Sequence, residues 1–150
     1  MAEIQKQVSR WYSARVQTEV MVARWGHFGT PVLLFPTAGG DAEEAERFKM
    51  IHVLRPLIEG GRVKIYSCDS VAGRAWSSGQ PPLHCAWMQN RFDGFVYREL
   101  VPAIYADCGG QPVPIITAGA SIGAFNALAS ICRHPDAFHK AICMSGTYDM

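Results

Sequence analysis

The sequence contains no apolar run approaching the roughly 18 to 20 residues of a membrane span, and its opening, Met1 to Gln7, is too polar for the apolar part of a secretory signal. It has no C-x-x-C pair and no Cys/His cluster at zinc-site spacing. The five cysteines, at 68, 85, 108, 132 and 143, are odd in number and far apart, so they read as reduced thiols. Cys132 and Cys143 fall in apolar stretches and are expected to be small buried hydrophobes. A marked excess of either charge is missing too: 14 Lys and Arg against 13 Asp and Glu leave +1, with no basic cluster. That removes the electrostatic footprint of nucleic-acid binding. The expectation is a cytoplasmic chain without membrane span, nucleic-acid partner, metal or cofactor.

What is present is apolar. With 49% hydrophobic and 18% charged residues over 150 positions, the chain can bury a real core. No repeat, low-complexity tract or linker divides it, so residues 1–150 read as one domain. Val8 to Tyr12 and Glu19 to Trp25, rich in β-branched and aromatic residues, suggest an antiparallel hairpin. Val32 to Phe35, Val63 to Tyr66, Val113 to Thr117 and Lys140 to Met144 are short continuous apolar runs, the pattern of strands covered on both faces. Asp41 is placed to cap a helix with Glu43, Glu44 and Glu46 in its first turn, where the helix dipole favours acids, and Pro56 to end or kink it. Cys68 to Leu83, rich in Ser, Gly and Pro, reads as a long loop. Ala86 to Tyr105 carries a helical stripe that Pro102 kinks and Gly109 and Gly110 stop, and Ile122 to Cys132 is alanine-rich like a helix packed on a sheet. Alternating strands and helices imply parallel pairing with right-handed crossovers.

One stretch points to chemistry. Gly119, Ser121 and Gly123 form G-x-S-x-G between a predicted strand and a predicted helix. The bare pattern arises by chance in about one chain of this length in twenty, so the context decides. A sharp strand-to-helix turn needs small residues, and Ala118, Ala120 and Ala124 supply them. Such a turn lifts the Ser121 hydroxyl out of the sheet beside free helix amides, and Ile122 becomes an oxyanion donor. A second donor is expected from Pro36-Thr37-Ala38-Gly39-Gly40, with Ala38 the first choice and Thr37 the second.

These residues resemble the α/β-hydrolase superfamily and, within it, the esterase family that includes feruloyl esterases, S-formylglutathione hydrolase and mycolyltransferases. Gly119 to Ala129 is similar to that family's nucleophile turn and helix, His134 to Phe138 to its helix exit, and Ile142 to Asp149 to the next strand and S-G turn. Val32 to Gly40 resembles the oxyanion strand and loop, and Arg98 to Ile104 the helix before the nucleophile strand. The resemblance implies an α/β-hydrolase fold, a mostly parallel sheet begun by an antiparallel hairpin, and ester or thioester chemistry through an acyl-enzyme on Ser121, with hydrolysis or acyl transfer as the outcome.

The family's triad runs serine, acid, histidine along the chain, and here only His134 and His139 follow Ser121, both expected at the far end of the sheet. His27, His52 and His84 precede it without a family role, although His84 could line the cleft. Asp149, just past a strand, is weighed as the acid against a structural hydrogen bond in its turn. Asp69 and Trp76, with Thr37, are cleft candidates for substrate binding. By the resemblance the Lys140 to Met144 strand lies in a sheet interior, and alone it would be an exposed apolar edge. A C-terminal complement, or a homo- or hetero-oligomeric partner, is therefore expected to cover it, and the complement to bring the histidine. The alternative reading is a non-catalytic scaffold of the same fold.

Overall fold

The computed structural model describes residues 4–148. The strands are β1 (Lys6–Ser13), β2 (Thr18–Trp25), β3 (Thr30–Phe35), β4 (Val63–Cys68), β5 (Ile115–Ala120) and β6 (Phe138–Met144). They form one sheet in the order β1-β2-β4-β3-β5-β6. β1 and β2 are the expected antiparallel hairpin, β2 adds antiparallel to β4, and β4, β3, β5 and β6 run parallel. The α/β class with a mostly parallel sheet is as the patterning predicts. β3 and β5 have a strand on either side and cores on both faces, which is why they read as unbroken apolar runs.

Helices cover both faces. Phe92, Phe95, Leu100 and Ile104 pack with Val20, Leu33, Tyr66 and Phe138 on one side, and Ile51 and Ile58 pack with Trp25, Ile65 and Ala118 on the other. Each large side chain so buried contributes roughly 1.5–3 kcal/mol. β1 and β6 are the edges, and Ile142 of β6 stays half exposed.

The helices depart from expectation in places. The segment after Asp41 is not one helix but three short ones, α1 (Glu44–Arg47), α2 (Met50–Val53) and α3 (Arg55–Glu59). Lys49, at φ 69°, breaks the first from the second. Pro56 does not end a helix. It sits in the first turn of α3, where its missing N–H leaves no bond unmade. The Cys68 to Leu83 loop is largely helical as well: α4 (Val71–Ser77) buries Ala72 and Ala75, and α5 (Pro82–Phe95) follows. A π turn (Val96–Leu100) joins α5 to α6 (Val101–Asp107), so one long rod replaces the predicted Ala86 to Tyr105 helix. The Val101 amide bonds Val96 O across the wider turn, directly before Pro102, which has no amide to donate. Gly109 and Gly110 close the rod at φ 101° and 86°, as predicted, with the Gly110 amide on Tyr105 O. Cys132 and Cys143 are exposed, contrary to expectation, because one lies on the outer side of the helix after β5 and the other on an edge strand. Cys68 and Cys85 are the buried thiols.

The crossover from β3 leads to β4 on one side, and that from β5 leads to β6 on the other. A crevice opens between such diverging connections, outside the carboxyl ends of β3 and β5. The G-x-S-x-G turn and the Pro36 to Gly40 loop both stand there.

Candidate active site

One residue, Ser121, separates β5 from α7 (Ile122–Arg133). Its backbone is at φ 58°, ψ −124°, a region that costs a residue with a side chain about 1–3 kcal/mol and persists only when neighbours over-determine it. They do so here. The Ser121 amide donates to Met144 O at 3.1 Å, and its carbonyl accepts from Ala124 N at 3.1 Å and Thr147 N at 3.2 Å. The two glycines are required by contact as well: a Cβ on Gly119 would overlap the Gly123 backbone, and one on Gly123 would lie 2.5 Å from Phe35 O. The spacing therefore brings the Ser121 turn against the end of β3, where the loop candidate for the second oxyanion donor begins.

That loop is clamped on both sides. Glu44, in α1 and only 8% exposed, accepts the Thr37 amide at 2.9 Å and the Thr37 hydroxyl. Gly40 O accepts from the Ser70 amide at 3.2 Å and from Arg74 Nη2 at 3.2 Å. Gly73 of α4 lies flush on the loop, since a Cβ there would be 3.0 Å from Ala38 Cα. Thr37, whose amide is committed to Glu44, is left as a weaker candidate than Ala38 for an oxyanion. A cavity of about 140 Å³ beside the turn is lined by Phe35, Pro36, Thr37, Glu44, Ala120 and Met144.

The family model described as “Putative esterase” matches residues 41–150. The chain belongs to this esterase family. No curated protein matches it. Among solved structures it is similar to the ferulic acid esterase of the anaerobic fungus Anaeromyces mucronatus, at 12% identity and TM-score 0.78 over 98% of this chain and 60% of that one. It is similar also to an S-formylglutathione hydrolase of Agrobacterium tumefaciens (14%, TM-score 0.71, 95% of this chain and 58% of that one). The enterobactin esterase of Shigella flexneri matches at 20% and TM-score 0.71, over 99% of this chain and 38% of that one. The shared feature is the fold. This esterase-family chain spans about three fifths of the first two of these structures.

The other expected site residues are dispersed. Asp69 is a brace: its carboxylate accepts the Met21 amide at 3.0 Å and the Ala42 amide at 3.1 Å. Trp76 leans into α5 through Nε1 to Gln89 Oε1 at 3.4 Å, and Gln89 in turn donates to Asn126 of α7 at 2.8 Å. Cys68, adjacent to Asp69, is no rival nucleophile, because burial first and the Asp69 charge second push its thiol up and keep it protonated. Asp149 lies outside the described residues.

Among the described residues no histidine hydrogen-bonds Ser121 or lines the cavity beside it. His134 follows α7, about 18 Å along the helix from the turn, bonded to Asp93 at 2.9 Å and stacked on Tyr97. His139 is at the opening end of β6 and exposed. His84 stacks on Trp87 at the start of α5, His27 is exposed in the turn between β2 and β3, and His52 is exposed on α2. Among the described residues, then, the turn and the loop are brought together and no histidine joins them.

The clamps Glu44, Ser70 and Arg74 are what sequence reasoning missed. Glu44 reads along the chain as a helix-dipole partner, one of three acids in a first turn, and nothing in a linear pattern separates it from Glu43 and Glu46. The only available hint was its place seven residues after Thr37, across a Gly-Gly turn.

Proposed function

We propose that this chain is the nucleophile-bearing part of a serine esterase acting on small carboxylic esters or thioesters. Ser121 attacks the carbonyl, the Ile122 and Ala38 amides hold the oxyanion, and water resolves the acyl-enzyme. The observation that supports this most is the Ser121 backbone at φ 58°, since strain of that kind serves to present a side chain. The histidine that takes the Ser121 proton comes, in this reading, from polypeptide outside these 150 residues, and with it the acid, unless Asp149 serves. That polypeptide pairs with the β6 edge, where Ile142 is exposed. Five free thiols suit a reducing, cytoplasmic setting.

A second reading, a non-catalytic scaffold of the same fold, draws support from the lack, among the described residues, of a histidine bonded to Ser121 or lining the cavity beside it. The two separate in one experiment. The chain is incubated with a fluorophosphonate probe, alone and joined to a C-terminal polypeptide of the esterase family, and the adduct is mapped by mass spectrometry. Labelling at Ser121 that rises at least a hundredfold with the added polypeptide, and vanishes in Ser121→Ala, supports the esterase. Labelling elsewhere, or none in the joined, folded chain, supports the scaffold.

A further inference from the structure

A charged cluster lies away from the Ser121 turn, on the sheet face that packs against the α5–α6 rod. Arg24 of β2 and Tyr66 of β4 are cross-strand partners, and Lys64 stands two residues from Tyr66 on the same face. All three converge on Asp107, the last residue of α6. Arg24 Nη1 donates to its Oδ1 at 2.7 Å and the Tyr66 hydroxyl to its Oδ2. Lys64 Nζ lies 3.0 Å from the carboxylate and donates to Asp107 O at 3.1 Å. An acid is disfavoured at a helix C-terminus, so these partners account for its presence. Burial pushes the Asp107 carboxyl up, but hydrogen bonds from Tyr66 and Lys64 and the two cations outweigh it and hold it below the usual carboxylate range. Tyr66 is pushed up, by burial first and Asp107 second, and stays neutral.

The charges do not balance. Two cations face one carboxylate, Lys64 is 6% and Arg24 18% exposed, and Arg24 Nε is buried without a partner. A cation withdrawn from water without a counter-ion is costly, so the cluster favours one more anion. Space for it adjoins. Two concavities share Asp107 in their walls: one of about 400 Å³ against Trp11, Val22 and Ile104, and one of about 640 Å³ against Phe28, Pro31 and Lys64. Apolar walls with a few convergent polar groups, at these volumes, are the ordinary make-up of a small-molecule site. Asp107 is the one acid lining either, among the described residues.

We propose that the smaller concavity binds a small organic carboxylate with an apolar body, the carboxylate taken by Arg24 of the cluster and the body by Trp11, Val22 and Ile104. Lys64 and Thr30 open the parallel strands while Ser121 follows the close of one, so this site is separate from the nucleophile turn. A neutral molecule leaves the extra charge unanswered, and inorganic phosphate leaves the apolar wall wet.

The test is calorimetric titration of the full chain at neutral pH with sodium octanoate as the probe, beside octanol and inorganic phosphate. Octanoate should bind at least tenfold more tightly than either, and amide shifts in the nitrogen-15 spectrum should centre on Val22, Arg24 and Ala106. Arg24→Gln should weaken octanoate at least tenfold. Ala106→Glu, an exposed change at the rim of the smaller concavity that spares the core, should weaken it in the same direction by charge repulsion. Equal binding of octanoate and octanol, binding of phosphate as tight as octanoate, shifts centred on Ala38 and Ile122, or unchanged affinity in Ala106→Glu would each overturn the proposal.

Discussion

Gly123 lies against Phe35 so closely that a Cβ at position 123 would sit 2.5 Å from the Phe35 carbonyl oxygen and 2.9 Å from that of Pro36. Both obstacles are backbone, one at the last residue of β3 and one just past it, and neither can swing aside as a side chain would. Gly123→Ala is therefore expected to force α7 off β3 and to destabilise the fold by about 1–3 kcal/mol, the range for overpacking a tight core site. Urea unfolding midpoints at constant slope measure it, and a midpoint within error of the parent would show that the helix shifts freely.

The strain at Ser121 makes a prediction of the opposite sign. Glycine reaches φ 58°, ψ −124° without the clash of a Cβ. Ser121→Gly should be more stable than Ser121→Ala by about 1–2 kcal/mol, a part of what so strained a residue stores. Paired urea titrations of the two variants decide it, and equal stability would mean that the turn relaxes around the side chain.

Removing the Glu44 carboxylate should loosen the loop without touching Ser121. In Glu44→Ala the Thr37 amide and hydroxyl lose their acceptor, and leaving a buried donor unsatisfied costs about 1–3 kcal/mol. Glu44→Gln keeps a carbonyl for the amide and an NH2 for the hydroxyl oxygen, so it should retain most of the ordering. Hydrogen exchange at the Thr37 amide is the measurement, with at least tenfold acceleration expected in the alanine variant and little in the glutamine one.

Glu99 gives the acid sensitivity of the hairpin. Burial pushes its carboxyl up, but Ser13 at 2.7 Å, Trp11 at 2.9 Å and Arg15 at 3.0 Å more than reverse this and hold it below the ordinary glutamate value. A group depressed in the folded state binds its proton more readily when unfolded, so its stabilisation is complete above the unfolded value of about 4.3. It is lost as pH falls through the folded one. Stability measured from pH 6 down to pH 2 should therefore fall less steeply in Glu99→Gln than in the parent, and parallel curves would remove Glu99 as the cause.

These expectations rest on features that the sequence discloses unevenly. β3 and β5 are legible because a strand buried on both faces has to be apolar throughout, and Ser121 because its turn dictates residue size at five neighbouring positions. The helices of residues 44–77 are not legible. Helices of four to seven residues have little stability of their own; α4 exists because Ala72 and Ala75 find the core and Gly73 fits the loop. Whether Cys143 is covered depends on what lies beyond β6, a matter of sheet order rather than local composition. The division of labour between Thr37 and Ala38 turns on a single side chain from another element, Glu44.

The bond from the Ser121 amide to Met144 O also fixes a sequence in time. β5 can pair with β3 as soon as both exist, yet the acceptor that holds the turn belongs to the last residue of β6, more than twenty positions later in the chain. A chain growing from its N-terminus exposes the motif well before the partner that bends it into shape. The bond that holds the strained conformation therefore cannot form until β6 has been made. Docking of β6 is the event that sets it, so this bond is made only in a chain whose β5–β6 pair has formed.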